Sequence, residues 1–273
     1  MATIAKQQSS VAVTPLGGAL GARIDGLDLS LPVDDETMAF LREAFLEHCV
    51  LVFPGQDHIT PEQQVDFAGR WGEVHVMPTP DACLEGNLSV LVLDTHGEKP
   101  VTDKWHSDVT MEESPPLGSF LLARTVPVGG DTIFANQYLA YEALSDGMKR
   151  MLDGLQAMHT GDVFAKAGGY DPAKFPRNLH PVVRTHPETG RKALFVNRVY
   201  TTHFEDMTAE ESAPLLEFLF EHSVQPNFTF RHKWTQGDLL MWDNRCLQHF
   251  AVADYGSDPR TMHRVTVLGD RPF

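Results

Sequence analysis

The sequence predicts a mainly β fold, a sandwich or closed barrel flanked by helices. Three observations carry that prediction. From Leu88 onward, short apolar or alternating runs (LSVLVLD, GSFLLAR, ALFVN, FTFRHKW, DLLMW and HRVTVLG) recur between Gly, Pro, Asn and Asp, the texture of many short strands. The 273 residues include 42% apolar side chains, enough to bury a sizeable core in one β unit of this length. No internal repeat, low-complexity tract or Pro/Ser-rich linker divides the chain. One catalytic unit over residues 1–273 is therefore expected, with a mixed helix and strand part over about residues 1–87 packed on the β core.

The elements follow in chain order. After LPVDD, Met38, Leu41 and Phe45 recur at helical spacing, with Asp34 or Asp35 available as the N-cap. That helix should lead into the strand CVLVF, which Pro54 and Gly55 stop. Thr60 as cap, Pro61 at the first helical position and Gln63 near the capping-box position mark a second helix. Further on, SAPLLEFLFEHS reads as an amphipathic helix, with Leu215, Leu216, Leu219 and Phe220 on its apolar face. The polar, Gly- and Pro-bearing stretch between Gly161 and Leu179 is expected to be a loop and a candidate lid.

Charge and cysteine usage narrow the partners. A formal charge of −15 repels phosphate backbones and anionic membrane surfaces, which argues against nucleic acid and membrane partners. The three cysteines, Cys49, Cys83 and Cys246, are an odd number without CxxC spacing, so no disulfide framework or structural zinc site is indicated. MATIAKQQSS lacks an apolar targeting core and no run is long enough to span a bilayer, which predicts a cytoplasmic protein.

The chemistry concentrates in WHSDVT. In an extended segment, His106 and Asp108 point to the same side, so one strand could supply two metal ligands. A third ligand must come from elsewhere in the barrel wall, and His249 in MWDNRCLQHF is the candidate. Two imidazoles and one carboxylate on one face of an octahedral ion leave positions open, the arrangement of iron(II) oxygenases. With 13 histidines in the chain, an HxD match alone is weak. Downstream, RTMHRVTVL alternates so that Arg260, Met262, Arg264 and Thr266 share one face of a strand. The two arginines then sit about 13 Å apart along it, too far to grip one carboxylate. Each can serve a different anion.

The order HxD, Thr132 in GGDT, His249, Arg260 resembles the 2-oxoglutarate oxygenase pattern, and more closely the taurine dioxygenase (TauD/TfdA) family. The likeness runs through TPLGGALGARIDGLDL, WHSDVT, PPLGS, GGDT, LHPVVRTHPETGRKALFVN, WDNR and MHRVTVLGD, nearly the whole chain. It implies a double-stranded β-helix core (jelly-roll, cupin-like), Fe(II) held by His106, Asp108 and His249, and 2-oxoglutarate as cosubstrate with O2. Thr132 and Arg260 would hold the distal carboxylate of 2-oxoglutarate, and a guanidinium fork suits that task. Arg264, helped by the Val109 backbone N–H, would anchor an anionic head on the prime substrate. Trp242, Asp243 and Asn244 are expected to pack and orient the site. The resemblance also makes a homo-oligomer the expected state.

In the taurine enzymes, the positions aligned with Met77, Pro80 and Thr102 are a histidine, a tyrosine and an asparagine that bind the sulfonate and amine. None is present here. Tyr200 stands at a wall position that is usually phenylalanine. A pocket without the amine-binding pair but with Arg264 suits an anion with a less polar body. The expectation is therefore an oxidoreductase that hydroxylates a small organic anion, a sulfonate, sulfate ester or aryloxyalkanoate, releasing succinate and CO2, with taurine itself not the substrate. Two rivals stand beside it: the same iron site catalysing desaturation or cyclisation in biosynthesis, and a cupin-like module that binds a metal or metabolite without turnover.

Overall fold

In the computed structural model, which describes residues 11–77, 80–96, 103–167 and 169–273, most strands fall into two sheets whose apolar faces meet. Among the described residues the larger sheet has eight strands. In spatial order they are Ala12–Pro15, Ala22–Asp25, Val50–Phe53, Leu239–Asp243, Gly118–Thr125, Pro259–Val267, Asn87–His96 and Cys83–Leu84. The smaller sheet is Thr229–His232, Thr132–Asn136 and Leu247–Ala251. All of these pairs are antiparallel except Ala22–Asp25 with Val50–Phe53.

Alternation explains how one central strand serves two cores. Leu239 and Met241 of the strand Leu239–Asp243 point outward and pack with Phe120, Leu122 and Val265 against Phe45, Phe67 and Trp71 of the helical layer. Leu240 and Trp242 point the other way and meet Phe134, Trp234 and Leu247 of the smaller sheet. Both faces are buried, so the strand reads as the unbroken apolar run LLMW. A slip of one residue would exchange the two sets, which fixes the register that later aims Trp242 and Arg264 inward.

The outer layer is the pair of helices Asp35–His48 and Pro61–Gly69. Asp34 accepts from the Thr37 N–H, and Thr60 with Gln63 closes a capping box. A third helix, Ala209–His222, carries its own capping box from Thr208 and Glu211. It lays Leu216 and Leu219 on Ala157, Leu194 and Phe204, covering the sheet of Thr201–Phe204, Gln156–Thr160 and Arg177–Pro181. Contrary to the expected loop, the stretch after Gly161 holds a helix, Asp162–Ala167, and a short 3-10 turn, Pro172–Lys174. Asp171 caps that turn by accepting from the Ala173 N–H, and Phe175 beyond it packs on Met111, Val199 and Tyr200. No helix among the described residues is long and apolar enough to cross a membrane.

Candidate active site

His249 lies in the strand Leu247–Ala251, between Phe134 and Trp242. Its ring stacks on Phe134 with centroids 6.2 Å apart and lies 4.9 Å from the Trp242 ring, so packing sets its orientation. The neighbouring chain runs past it as a single antiparallel bridge, His106 N–H to His249 carbonyl and the reverse, at 3.1 and 2.7 Å. That bridge is all the strand character WHSDVT has. Asp108 already begins a turn, contrary to the expected extended segment. The physical reason is Asn244: its amide accepts from the Asp108 N–H at 2.6 Å and donates to the Asp108 carbonyl at 3.1 Å, replacing ladder partners. The turn forces Val109 to φ +40°, a left-handed conformation that a β-branched residue rarely adopts.

The three side chains nonetheless converge, with ligand atoms all within 4.8 Å of one another. His106 Nδ1 is 2.7 Å from the Lys104 carbonyl, so it carries the proton and leaves Nε2 with its lone pair. His106 Nε2 lies 3.8 Å, and His249 Nε2 3.6 Å, from Asp108 Oδ1. Burial pushes the His106 imidazole below its ordinary range, and burial with His106 beside it brings His249 down to about 3. Burial alone would raise the Asp108 carboxyl, but Arg264 and the two imidazoles outweigh it and hold it at about 2. At neutral pH the centre is two neutral imidazoles and a carboxylate, the protonation states a divalent cation needs.

Behind the centre, a hydroxyl and amide network fixes the HxD turn. Asn197 donates to Thr110 Oγ1 at 3.0 Å while its carbonyl oxygen accepts from the N–H groups of Val199 and Tyr200. His159, fully buried, makes a 2.8 Å hydrogen bond from Nδ1 to Thr110 Oγ1. Burial, with His180 adjacent, lowers it from 6.5 to about 3. In that window the unfolded chain binds a proton that the folded chain does not, so stability falls as pH drops from 6.5 towards 3. The loss approaches about 1.4 kcal/mol per pH unit for such a group. Thermal melts of the metal-free protein between pH 7 and pH 4 should show this acid limb, to which the buried His106 and His249 also contribute, and His159→Gln should make it shallower by the His159 share.

Both arginines of the strand Pro259–Val267 lie on the face that meets the smaller sheet, over Trp234 and Trp242, in separate settings. Arg260 lies over the Trp234 ring, 6.0 Å from its centroid, and Trp234 Nε1 donates to Thr132 Oγ1 at 3.0 Å. The Thr132 hydroxyl is thereby occupied as an acceptor and retains a proton to donate. Gly130 makes room for this pair: at φ +69°, a Cβ there would meet Tyr255 Cδ1 at 3.0 Å and Arg260 Cδ at 3.2 Å. Arg264 lies over Trp242, 5.7 Å from the ring centroid, and its Nη2 donates to Asp108 Oδ2 at 2.7 Å. The residue read from sequence as a substrate anchor thus also touches the candidate metal ligand. Tyr200 is buried against Met111, Val199 and Val109, with its ring 6.5 Å from His106 and its hydroxyl at the Val109 N–H. Met77 is half-buried and its N–H donates to the Leu88 carbonyl; no contact among the described residues joins it to the triad. Pro80 is exposed, and Thr102 lies outside the described residues.

A second group, His186, Asp243 and Cys246, also clusters, but its chemistry is already satisfied. His186 Nδ1 accepts from the Glu188 and Thr189 N–H groups, so its proton sits on Nε2 and goes to Asp243 Oδ2 at 3.1 Å. Arg245 donates to both Asp243 oxygens, from Nε at 2.8 Å and Nη2 at 2.8 Å. Burial pushes the Cys246 thiol up and keeps it protonated. WDNR is therefore a structural knot behind the triad, with Asn244 and Trp242 as the parts that reach it.

The taurine catabolism dioxygenase TauD, TfdA family profile matches residues 12–266. The chain belongs to this family of dioxygenases. It is 35% identical over 275 residues to an alpha-ketoglutarate-dependent sulfate ester dioxygenase of Pseudomonas putida, covering 95% of this chain and 90% of that protein. It is 34% identical to an (S)-phenoxypropionate/alpha-ketoglutarate-dioxygenase of Sphingobium herbicidovorans, covering 94% of this chain and 95% of that one. The crystal structure of a taurine dioxygenase from Burkholderia xenovorans superposes with a TM-score of 0.85 at 34% identity, covering 96% of this chain and 92% of that one. The core is accordingly the jelly roll that the family resemblance implied. The protein is an Fe(II)/2-oxoglutarate-dependent dioxygenase that uses O2, so the reading as a binding module without turnover falls away.

Proposed function

We propose that this dioxygenase hydroxylates a small organic anion with an apolar body, a sulfonate, sulfate ester or aryloxyalkanoate, at the carbon next to the heteroatom. The observation that carries this reading is the pair of arginines on one strand. Arg260 lies beside a hydroxyl and an indole, and Arg264 stands beside the triad, next to the apolar group Met111, Val199 and Tyr200.

In this reading His106, Asp108 and His249 hold the iron, and Thr132 with Arg260 grips the distal carboxylate of 2-oxoglutarate. When bound, iron(II) with 2-oxoglutarate and O2 supplies the oxidising power that inserts oxygen into a C–H bond, with succinate and CO2 as co-products. The chain's own residues do the rest. Arg264 receives the anionic head, and the Val109 N–H can join it by exchanging the Tyr200 hydroxyl for the anion. Tyr200 stands at the wall, and Met77 and Thr102 are further substrate-side candidates carried over from the family resemblance. The apolar group then seats the tail and excludes water from the reacting carbon. Hydroxylation beside a sulfate-ester oxygen yields an unstable adduct that releases an aldehyde and inorganic sulfate. We read the enzyme as one cytoplasmic catalytic unit. The family resemblance and the apolar helix Ala209–His222 are the grounds for expecting a homo-oligomer. Assaying hexyl sulfate, hexanesulfonate and 2-phenoxypropionate for succinate formation tests the substrate class. At least one should raise succinate about tenfold or more above the uncoupled background, the step expected of a pocket contact worth 1.4 kcal/mol. No stimulation by any of the three would sink the reading.

A further inference from the structure

Ser119 has no role in the account above, yet it closes a ring with the two charged residues nearest the metal position. It lies in the strand Gly118–Thr125, fully buried, opposite Trp242 on one neighbouring strand and Thr266 on the other. Cross-strand partners share a face, so Ser119 lies with Trp242 on the face that meets the smaller sheet. Its Oγ is 3.2 Å from Asp108 Oδ2, 3.1 Å from Arg264 Nε and 3.4 Å from Thr266 Oγ1. A guanidinium can only donate and a carboxylate can only accept, so the polarity is fixed: Ser119 accepts from Arg264 and gives its single proton to Asp108. Arg264 Nη2 donates to the same Asp108 oxygen, closing a ring of carboxylate, guanidinium and hydroxyl.

The ring acts on one oxygen only. Asp108 Oδ1 faces the two imidazoles, whereas Oδ2 takes both donors. A carboxylate without such donors can swing to bind a cation through both oxygens and fill a further coordination position. Here that swing would break two hydrogen bonds in a buried site. Arg264 is held in turn through its Nε and Nη2 edge, and Nη1 carries none of these bonds.

We propose that Ser119 is a positioning residue that locks Asp108 as a one-oxygen ligand and keeps the Nε and Nη2 edge of Arg264 on that carboxylate, so that an anion bound at Nη1 is registered at the metal ligand. This rests on the roles given above to Asp108 and Arg264. The metal alone tests it, before any substrate is chosen. Co(II) titrated into the full-length protein without oxygen should bind about tenfold more weakly to Ser119→Ala, the lower end of the penalty for lost support of a ligand. Its visible absorption should also change in intensity as Asp108 turns to two-oxygen ligation. Arg264→Lys, which keeps a positive charge but removes Nε, should weaken Co(II) similarly. The double variant should lose far less than the product of the two, because both break one ring. Unchanged Co(II) affinity in Ser119→Ala, or penalties that simply multiply, overturns the proposal. If Ser119→Ala does not fold, Arg264→Lys alone decides, since wild-type Co(II) affinity there overturns it equally. In a second arm, hexyl sulfate should shift the visible band of the anaerobic Fe(II) and 2-oxoglutarate complex in wild type and shift it less in Ser119→Ala. A wild-type protein that ignores hexyl sulfate counts against the substrate reading, and the Co(II) arm still decides the role of Ser119.

Discussion

Asp108→Ala should reduce succinate formation by more than about 100-fold, because even partners that only support a metal ligand cost 10- to 100-fold when removed. Two losses coincide in this variant. The metal position keeps two neutral imidazoles and no anion, too few donors to hold a divalent cation against water. Arg264 meanwhile loses the carboxylate 2.7 Å from its Nη2 and is left, largely buried, over the Trp242 ring. Breaking a buried pair from one side destabilises by about 3–5 kcal/mol, so the metal-free variant should also melt earlier than the metal-free wild type. Calorimetry without metal separates the two effects. A variant that melts like wild type and still binds Co(II) tightly would remove Asp108 from the centre.

Arg260→Ala should raise the concentration of 2-oxoglutarate needed for half-maximal activity by about 30-fold or more, with iron binding unchanged. A truncated partner in a buried, hydrogen-bonded charge pair costs about 2–5 kcal/mol, and 1.4 kcal/mol is tenfold in affinity. Arg260→Lys should recover only part of this, since a point charge cannot reproduce the fork or lie flat over Trp234. Anaerobic titration of the Fe(II) protein with 2-oxoglutarate reads the binding step without turnover. An Arg260→Ala protein with wild-type 2-oxoglutarate affinity would move the cosubstrate site elsewhere.

What the sequence disclosed and what it concealed divide along physical lines. Strand alternation and helix caps are local, so the runs LLMW and GSFLLAR, the capping box at Thr60 and the N-cap at Asp34 could be read from neighbouring residues. The convergence of His106, Asp108 and His249 was legible through the spacing that also included Thr132 and Arg260. Ser119 and Trp234 were not legible, since their bonds reach residues far along the chain, Arg264 and Thr266 for Ser119 and Thr132 for Trp234. A strand serine and a strand-end tryptophan look like packing until register brings the partners together. The turn at Asp108 was concealed for the same reason: the side chain that replaces the ladder is Asn244, 136 residues away. The helix Asp162–Ala167 was hidden by the Gly and Pro around it.

The single strand that carries both arginines also behaves as a ruler. Side chains four residues apart on a paired strand cannot change their separation without disrupting the ladders that hold Pro259–Arg264 on one flank and Thr261–Val267 on the other. If each guanidinium receives one anion, the span between the cosubstrate's far end and the substrate's head is a constant of the backbone, whatever occupies the pocket. Along a homologous series of alkyl chains the oxidised carbon, counted from the head, should therefore stay the same while the tail lengthens towards Phe175. Regiochemistry is set by the sheet, and substrate breadth is left to the residues that line the way out.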